Sequence, residues 1–234
     1  MSEWKELALN AAERKAAVVL ERLSAFRAEG KRIFVSSSFQ TQSLPLLHIV
    51  SRHGAGIPVV FLDTGYLFPE TLTFRDAVAE QLGLEVINVR PSVPKSQQRT
   101  ADGRLLFAAD TDKCCALNKV EPLAPYLRAY DIWMSGVRAD QSAVRSGFAK
   151  EQEGPHGIVR YHPMLDWTAR EIYAYREAHD LPEHPLQQQG YLSIGCMPCT
   201  RPISAMADDR DGRWSGQSKT ECGLHTDLGT DEED

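Results

Sequence analysis

Apolar and polar positions follow one another along the chain in blocks that predict alternating helices and short strands. Residues 3–29 set Leu7, Ala11, Val18, Leu20 and Leu23 among charges and are followed by Gly30, which predicts an amphipathic helix with a glycine stop. Arg32-Ile33-Phe34-Val35 is a short apolar strand, Ser36–Ser43 a polar turn, and Leu44–Arg52 a second helix. Pro58–Leu62 predicts a strand ending at Asp63-Thr64-Gly65, with a helix near 69–82 and a strand over Glu85–Val89 after it. Residues 91–112 read as a polar loop, and Cys114–Tyr126 as a helix whose length Pro122 and Pro125 limit. Asp131–Ser135 and Gly157–Tyr161 are two further strands, and Thr168–His179 a helix. Strands alternating with helices predict an α/β fold, a mostly parallel twisted sheet flanked by helices. From Leu181 onward Pro and Gly punctuate an irregular stretch, and the part after residue 200, which lacks periodicity, is expected to form a C-terminal lid. No repeat or low-complexity linker divides the sequence, so one domain is expected over 1–234, with an N-terminal helix in 1–30 and a C-terminal tail in 200–234.

Composition narrows the function classes. Hydrophobic residues make up 42% and charged residues 25% of 234, an ordinary globular balance. The net charge of −6, part of it in the terminal Asp231-Glu232-Glu233-Asp234 run, supplies no basic field for nucleic acid. No apolar run approaches the ~18 residues of a membrane span, and no signal-peptide pattern precedes the first helix. A cytoplasmic protein is expected, where stable disulfides are rare. A homo-oligomer is compatible with this composition.

In open parallel sheets ligands bind beyond the carboxyl ends of strands. Three polar segments fall there: Ser36–Ser43, Asp63-Thr64-Gly65 and Ser135–Ser142. A serine-rich turn opening a helix offers hydroxyls, backbone N–H groups and a helix dipole to an anion, or else caps the helix. It lacks the glycines and Lys of a Walker loop. Arg138 and Arg145 either hold phosphate or face solvent, and Asp63 either contacts a ribose or caps the next turn.

The five cysteines carry more information. Cys114 and Cys115 are adjacent, Cys196 and Cys199 form a CxxC, and Cys222 stands near the C-terminus. Adjacent cysteines are poor disulfide partners, and a CxxC alone is shared by redox, zinc and iron–sulfur sites. Two pairs together suit a four-thiolate metal centre and leave the fifth thiol to react. Zinc stays open on spacing alone, although Cys114-Cys115 is no zinc knuckle.

The stretch Gly190-Tyr191-Leu192-Ser193-Ile194-Gly195-Cys196-Met197-Pro198-Cys199-Thr200, with Gly212-Arg213-Trp214 and Lys219-Thr220-Glu221-Cys222-Gly223-Leu224-His225, resembles the assimilatory sulfonucleotide reductases. Phe61–Gly65 and Ser135–Ser142 are similar to the nucleotide-binding motifs of that family. The resemblance runs from about the first strand to His225. It implies an adenine-nucleotide α-hydrolase-like fold, related to ATP pyrophosphatases. It implies a [4Fe-4S] cluster on Cys114, Cys115, Cys196 and Cys199, the set found in members that reduce adenylyl sulfate (APS). Having all four therefore favours APS as substrate; the turn carrying Ser36, Ser37, Ser38 and Gln40 is also similar to the phosphate loop of cluster-free members that reduce the 3′-phosphorylated nucleotide (PAPS), so use of PAPS, alone or beside APS, is the alternative.

The chemistry implied is attack of the Cys222 thiolate on the sulfate sulfur, expulsion of AMP, and release of sulfite by the dithiol of thioredoxin or glutaredoxin. No cysteine remains to resolve the intermediate internally, so an external dithiol fits the count. Lys119, at i+4 from Cys115, is placed between cluster and sulfate by this reading, and by the plainer one is an exposed helix lysine. Arg210 and Arg213 match substrate-contacting arginines, and Asp63 and Arg138 fall within the nucleotide motifs. His225 is either a third cation or a tail residue, and Trp214 is expected to pack the tail. Two rivals stand beside this: a zinc-stabilised nucleotide-binding protein, and an ATP pyrophosphatase, whose Ser-Gly-Gly-x-Asp-Ser loop the sequence lacks.

Overall fold

The computed structural model describes residues 2–54, 56–203, 210–214, 219, 221 and 223–226. Its frame is a six-stranded sheet of β1 (Ile33–Ser36), β2 (Val59–Leu62), β3 (Val86–Val89), β4 (Ile132–Ser135), β5 (Glu151–Glu153) and β6 (Val159–Tyr161), in the order β3-β2-β1-β4-β6-β5. The five strands β3, β2, β1, β4 and β6 are parallel, and β5 is an antiparallel edge. Glu151–Glu153 has no apolar residue to mark it as a strand, which is why hydrophobic patterning gave no sign of β5.

Period-two alternation splits the strands between two cores. Ile33, Val35, Val59, Phe61, Ile132 and Met134 face α1 (Glu3–Ala28), α2 (Leu44–His53), α3 (Pro69–Leu82) and α8 (Ala169–Ala178). Phe34, Val60 and Trp133 face Leu123 and Leu127 on the other side. Because both faces are covered, the strands read as unbroken apolar runs, as parallel strands do.

Helix α1 ends as expected, with Gly30 at φ 71°. Its buried stripe differs from the one in the sequence reading: Ala12, Ala16, Val19, Leu23 and Phe26 face the core, while Leu7 and Val18 are exposed. Small alanines let α1 lie close on α8 and α2, so the packing face is set by residue size as much as by hydropathy. The segment 91–112 is more structured than expected: it holds α4 (Leu106–Ala109) and the start of α5 (Thr111–Cys115), which Asp110 caps by accepting from the Lys113 N–H at 2.9 Å. A π-turn, Ala116–Val120, then leads into α6 (Glu121–Ala129), so helical backbone outlasts both prolines. Pro122 lies in the first turn of α6, where a missing N–H costs little, and Leu123 and Leu127 anchor the helix against Phe34 and Trp133.

Short helix α7 (Ala143–Ser146) follows β4, and α9 (Gly223–Thr226) lies near the C-terminus. Between Leu181 and Ile203 the chain has only single helical turns and is joined to the rest by backbone bridges: Leu67 pairs with Cys196, and Thr200 with Arg213. Most of the expected lid lies outside the described residues. Among the described residues no helix is long and apolar enough to cross a membrane.

Candidate active site

Strand β1 runs onward to β2 on one side and lies beside β4 on the other, so its carboxyl end is the point where strand order reverses. Ser36 and Ser135 pair across it in register. A cavity of about 200 Å³ opens there, lined by Ser36, Ser37, Ser38 and Gln40 from the first turn, and by Ser135, Gly136 and Val137 from the third.

The serine turn folds on itself instead of capping a helix. Trp133 Nε1 donates to Ser36 Oγ at 2.8 Å, Phe39 N–H to Ser37 Oγ at 3.1 Å, and Gln40 Nε2 to Ser38 Oγ at 2.9 Å. Phe39 takes a left-handed φ of 52°, held by complete burial against Phe61. Gln40 Oε1 accepts from Ile194 N–H at 2.8 Å and so joins the turn to the segment leading into the CxxC.

Four cations line this cavity: Lys119, Arg145, Arg210 and Arg213. A single carboxylate, Glu221, knits two of them together. Its Oε1 accepts from Ser142 Oγ at 2.6 Å and Arg145 Nε at 3.0 Å, and its Oε2 from Arg145 Nη2 at 3.1 Å and Arg210 Nη2 at 3.0 Å. Burial pushes this carboxyl up, but the Arg145 charge, the Ser142 hydroxyl and the Arg210 charge outweigh burial and hold it below its ordinary range.

Two expected nucleotide contacts stand apart from the cavity lining. Asp63 is buried, its Oδ1 accepting from Gly65 N–H at 3.1 Å and its Oδ2 from Arg90 Nε at 2.9 Å. Burial raises its pKa, and these bonds bring it below the usual carboxylate value. Arg138 is also buried, donating to Asp140 Oδ1 at 2.9 Å and to Gln42 Oε1 at 2.9 Å. Gln42, which does line the cavity, also accepts from Gln141 Nε2 at 2.9 Å.

The two cysteine pairs meet. Cys114 and Cys115, on α5, and Cys196 and Cys199 border one small cavity together with Tyr66, Phe107, Asn118 and Pro198. None of the four is in a disulfide. The CxxC is stitched to the loop after β2 by Met197 N–H donating to Tyr66 O at 2.7 Å. Burial, and then the neighbouring sulfurs of Cys196 and Cys199, push the Cys114 thiol up to about 11. Among the described residues, no group of three or more His, Cys, Asp or Glu side chains closes around a single-ion position. The donor chemistry nonetheless suits a thiophilic metal group: four sulfurs in one apolar-walled space, with polar side chains beside two of them. Asn118 Nδ2 lies 3.6 Å from Cys114 Sγ, and Thr64 Oγ1 3.2 Å from Cys196 Sγ. Asn118 is in turn fixed by Gln98, whose Oε1 accepts from Asn118 Nδ2 at 2.7 Å and from Tyr66 OH at 3.4 Å.

Lys119, Cys196, Arg213 and Trp214 border both cavities. The Arg213 guanidinium lies over the Trp214 ring at 4.5 Å, and Trp214 is buried, as expected of a residue that packs the tail. Cys222 and the acidic 231–234 run lie outside the described residues. Glu221 and Leu224, flanking Cys222 in sequence, lie respectively against the cavity arginines and in the cavity lining. Sequence reasoning missed Glu221, Ser142, Thr64, Gln98 and Asn118 as site residues. Glu221 stood beside Cys222, and Thr64 and Ser142 fell within the polar segments, but none was marked individually; Gln98 and Asn118 lie in no motif and gain their places through contacts distant in sequence.

Comparison with known proteins gives the family. The family described as phosphoadenosine phosphosulfate reductase domain matches residues 32–202. A protein of Chelativorans sp. (strain BNC1) named adenosine 5′-phosphosulfate reductase is 42% identical over 212 residues, covering 89% of this chain and 84% of the relative. A protein of Gloeobacter violaceus named phosphoadenosine 5′-phosphosulfate reductase is 38% identical, over 95% of this chain and 90% of the relative. In fold, the chain is similar to a phosphoadenylyl-sulfate reductase of Candida auris in its phosphate complex, with TM-score 0.65, 20% identity, and coverage of 84% of this chain and 96% of that one. It is also similar to the Candida glabrata FMN adenylyltransferase in complex with FAD and pyrophosphate, with TM-score 0.61, 13% identity, and coverage of 97% and 76%. With a match over most of its length and relatives this similar, the chain belongs to the phosphoadenosine phosphosulfate reductase family.

Proposed function

We propose that this chain reduces adenylyl sulfate to sulfite and AMP in assimilatory sulfate reduction, toward cysteine, in the cytoplasm, with thioredoxin or glutaredoxin as electron donor. The observation that carries this is the shared wall between the two cavities. A serine-lined, four-cation pocket at the nucleotide end of the sheet abuts a four-thiol pocket across Lys119 and Arg213. Such a pocket suits a phosphosulfate anion. The relative from Chelativorans, and one from Rhodococcus erythropolis that is 41% identical over 77% of this chain, both named adenosine 5′-phosphosulfate reductase, support the substrate without a 3′-phosphate. The name of the Gloeobacter relative supports a second reading, in which the 3′-phosphorylated nucleotide is also used.

Cys222 is the nucleophile in this reading. Its thiolate attacks the sulfate sulfur, the bond from sulfur to the bridging oxygen breaks, and AMP leaves with the electron pair. Lys119, Arg145, Arg210 and Arg213 stabilise the charge that develops on the leaving phosphate and on the transferring sulfonate. A reductant thiolate then attacks the Cys222 sulfur and sulfite departs. The second reductant thiol resolves the mixed disulfide, so two electrons pass from the dithiol to sulfur.

Cys114, Cys115, Cys196 and Cys199 are the residues that would hold a [4Fe-4S] cluster, one per chain. When bound, it would supply a fixed charge and a covalent tie between α5 and the CxxC segment. Ser36, Ser37, Ser38 and Gln40 would hold the nucleotide's phosphate end, with Asp63 and Arg138 bracing the turns behind it. An anaerobic assay of sulfite release from APS and PAPS side by side, with thioredoxin, tests the reading. Release from neither nucleotide would refute it.

A further inference from the structure

The established features of the site leave one charged group without a role. Glu221 is an acid placed among the cations of a pocket that receives an anion, where it works against substrate affinity. Its side chain is 1% exposed, and its two oxygens take four hydrogen bonds from three partners. Two of those partners, Arg145 and Arg210, line the substrate cavity. They come from opposite parts of the chain: Arg145 from α7 after β4, and Arg210 from the returning C-terminal segment. Arg145 grips the carboxylate through two nitrogens, Nε and Nη2, a fork that fixes direction as well as distance. Arg145 is itself oriented by Gln141 Oε1, which accepts from its Nη1. Ser142, which donates to the same carboxylate, also caps α7 by accepting from Arg145 N–H at 3.3 Å.

We infer that Glu221 is a positioning residue for sulfonate transfer, because its carboxylate fastens the residue next to Cys222 to the two arginines that face the substrate anion. One charge network then holds both reactants. The arginines locate the anion from one side, and through Glu221 the same arginines locate the nucleophile's segment from the other. A plain tail-docking contact needs no ionised group, and an apolar residue against α7 would serve it. A carboxylate is needed where the anchors are the substrate's own cations and must keep a fixed geometry between two negative partners.

The inference rests on the assignment of Cys222 as nucleophile, and the test separates the two. The full-length protein is mixed anaerobically with APS and no reductant, and the sulfonate on the Cys222 peptide is timed by mass spectrometry. AMP affinity, the thermal midpoint and alkylation of Cys222 by neutral iodoacetamide are measured in parallel. Glu221→Ala is expected to slow sulfonation by about a hundredfold, the size of a misplacement of roughly 1 Å. AMP affinity should stay equal or tighten, because an acid has left two cavity cations. Iodoacetamide, which needs no alignment, should react undiminished. Glu221→Asp, which keeps the charge with a shorter reach, should recover part of the rate, whereas Glu221→Gln, which sets an amide N–H against guanidinium donors, should not. Sulfonation at the wild-type rate in Glu221→Ala overturns the inference. So does a loss of AMP binding in parallel with sulfonation in both Glu221→Ala and Glu221→Asp, since that marks a structural role. Absence of any adduct in the wild-type protein overturns the nucleophile assignment itself, and the inference with it.

Discussion

Gly195→Ala tests how the CxxC segment holds the cavity's cations. A Cβ at residue 195 would sit 2.3 Å from Arg213 Nη2 and 2.6 Å from its Cζ, inside the guanidinium. The Gly195 backbone is not left-handed, so a methyl brings no conformational strain of its own. The Arg213 backbone cannot yield readily, because its N–H donates to Arg210 O at 2.8 Å and the residue bridges to Thr200. The guanidinium must therefore swing out, leaving Gly195 and the Trp214 ring. Loss of the stacking costs about 0.5–2 kcal/mol of stability, a fall of a few degrees in thermal midpoint for a chain of this size. Loss of a preorganised cation in the transition state costs about 3–4 kcal/mol, or roughly 10²–10³-fold in turnover. Anaerobic sulfite release from APS with thioredoxin measures the second, and thermal unfolding the first. Gly195→Ala and Arg213→Ala should match in turnover, and the double variant should be no worse than Arg213→Ala, because both remove one group. Full activity in Gly195→Ala, or additive losses in the double variant, would show that Arg213 does not act from this position.

Replacing Cys196 or Cys199 by Ser should abolish iron binding, the brown colour and activity together; a colourless wild-type enzyme with full activity would refute the cluster assignment. Lys119→Ala should keep iron at four per chain, as expected for one cluster, yet lower turnover by about 2–4 kcal/mol in transition-state terms, and wild-type kinetics would return Lys119 to an ordinary helix lysine. Cys222→Ser should still bind AMP but form no sulfonate adduct, since a hydroxyl is a far weaker nucleophile at neutral pH. Burial lowers His162 and His184 to about 4, so the unfolded chain takes up protons on them first as pH falls below 6.5. Stability should therefore fall from pH 6.5 toward pH 4, by up to about 3 kcal/mol for each, and above about pH 5 that fall comes while most carboxylates are still ionised. A thermal midpoint unchanged from pH 7.5 to 5 would contradict this.

The frame was legible because both faces of the parallel strands are buried, so Ile33–Val35, Val59–Leu62 and Ile132–Met134 announce themselves as apolar runs. The edge strand Glu151–Glu153 was not, since its pairing with β6 is satisfied by backbone alone and its side chains carry no pattern. The packing face of α1 was misjudged for a related reason. Hydropathy favours Leu7 and Val18, but the close approach of α8 selects Ala12 and Ala16. In the site, the short motifs stand out in the sequence: the two cysteine pairs border one cavity, and the serine turn lines the adjoining one. Glu221, Asn118 and Gln98 do not, because each acts through partners 11 to 79 residues away in sequence, or through a buried amide pair. Arg138 shows the converse. Its motif points to substrate, while Asp140 and Gln42 take up its guanidinium in the described structure.

The pairing of cysteines so distant in sequence has a mechanical consequence. One pair stands on α5, continuous through the π-turn with Lys119, so the helical segment delivers two thiols and one cation as a unit. The other pair stands on an irregular segment whose only regular element is the single helical turn Met197–Cys199, tied down at Tyr66, Leu67 and Gln40. That segment in turn seats Gly212, which leaves room for Arg201 O only 2.2 Å from where a Cβ would fall, and so seats Arg213 and Trp214. A metal group bridging the two pairs would fix the irregular segment against α5, and through it the arginines of the anion pocket. On this argument the four thiolates need transfer no electrons to matter for turnover. Ligation at these four cysteines would then set the distance between Lys119 and Arg213, the two cations on the shared wall, and a substrate anion charged on both phosphate and sulfate would feel that distance directly.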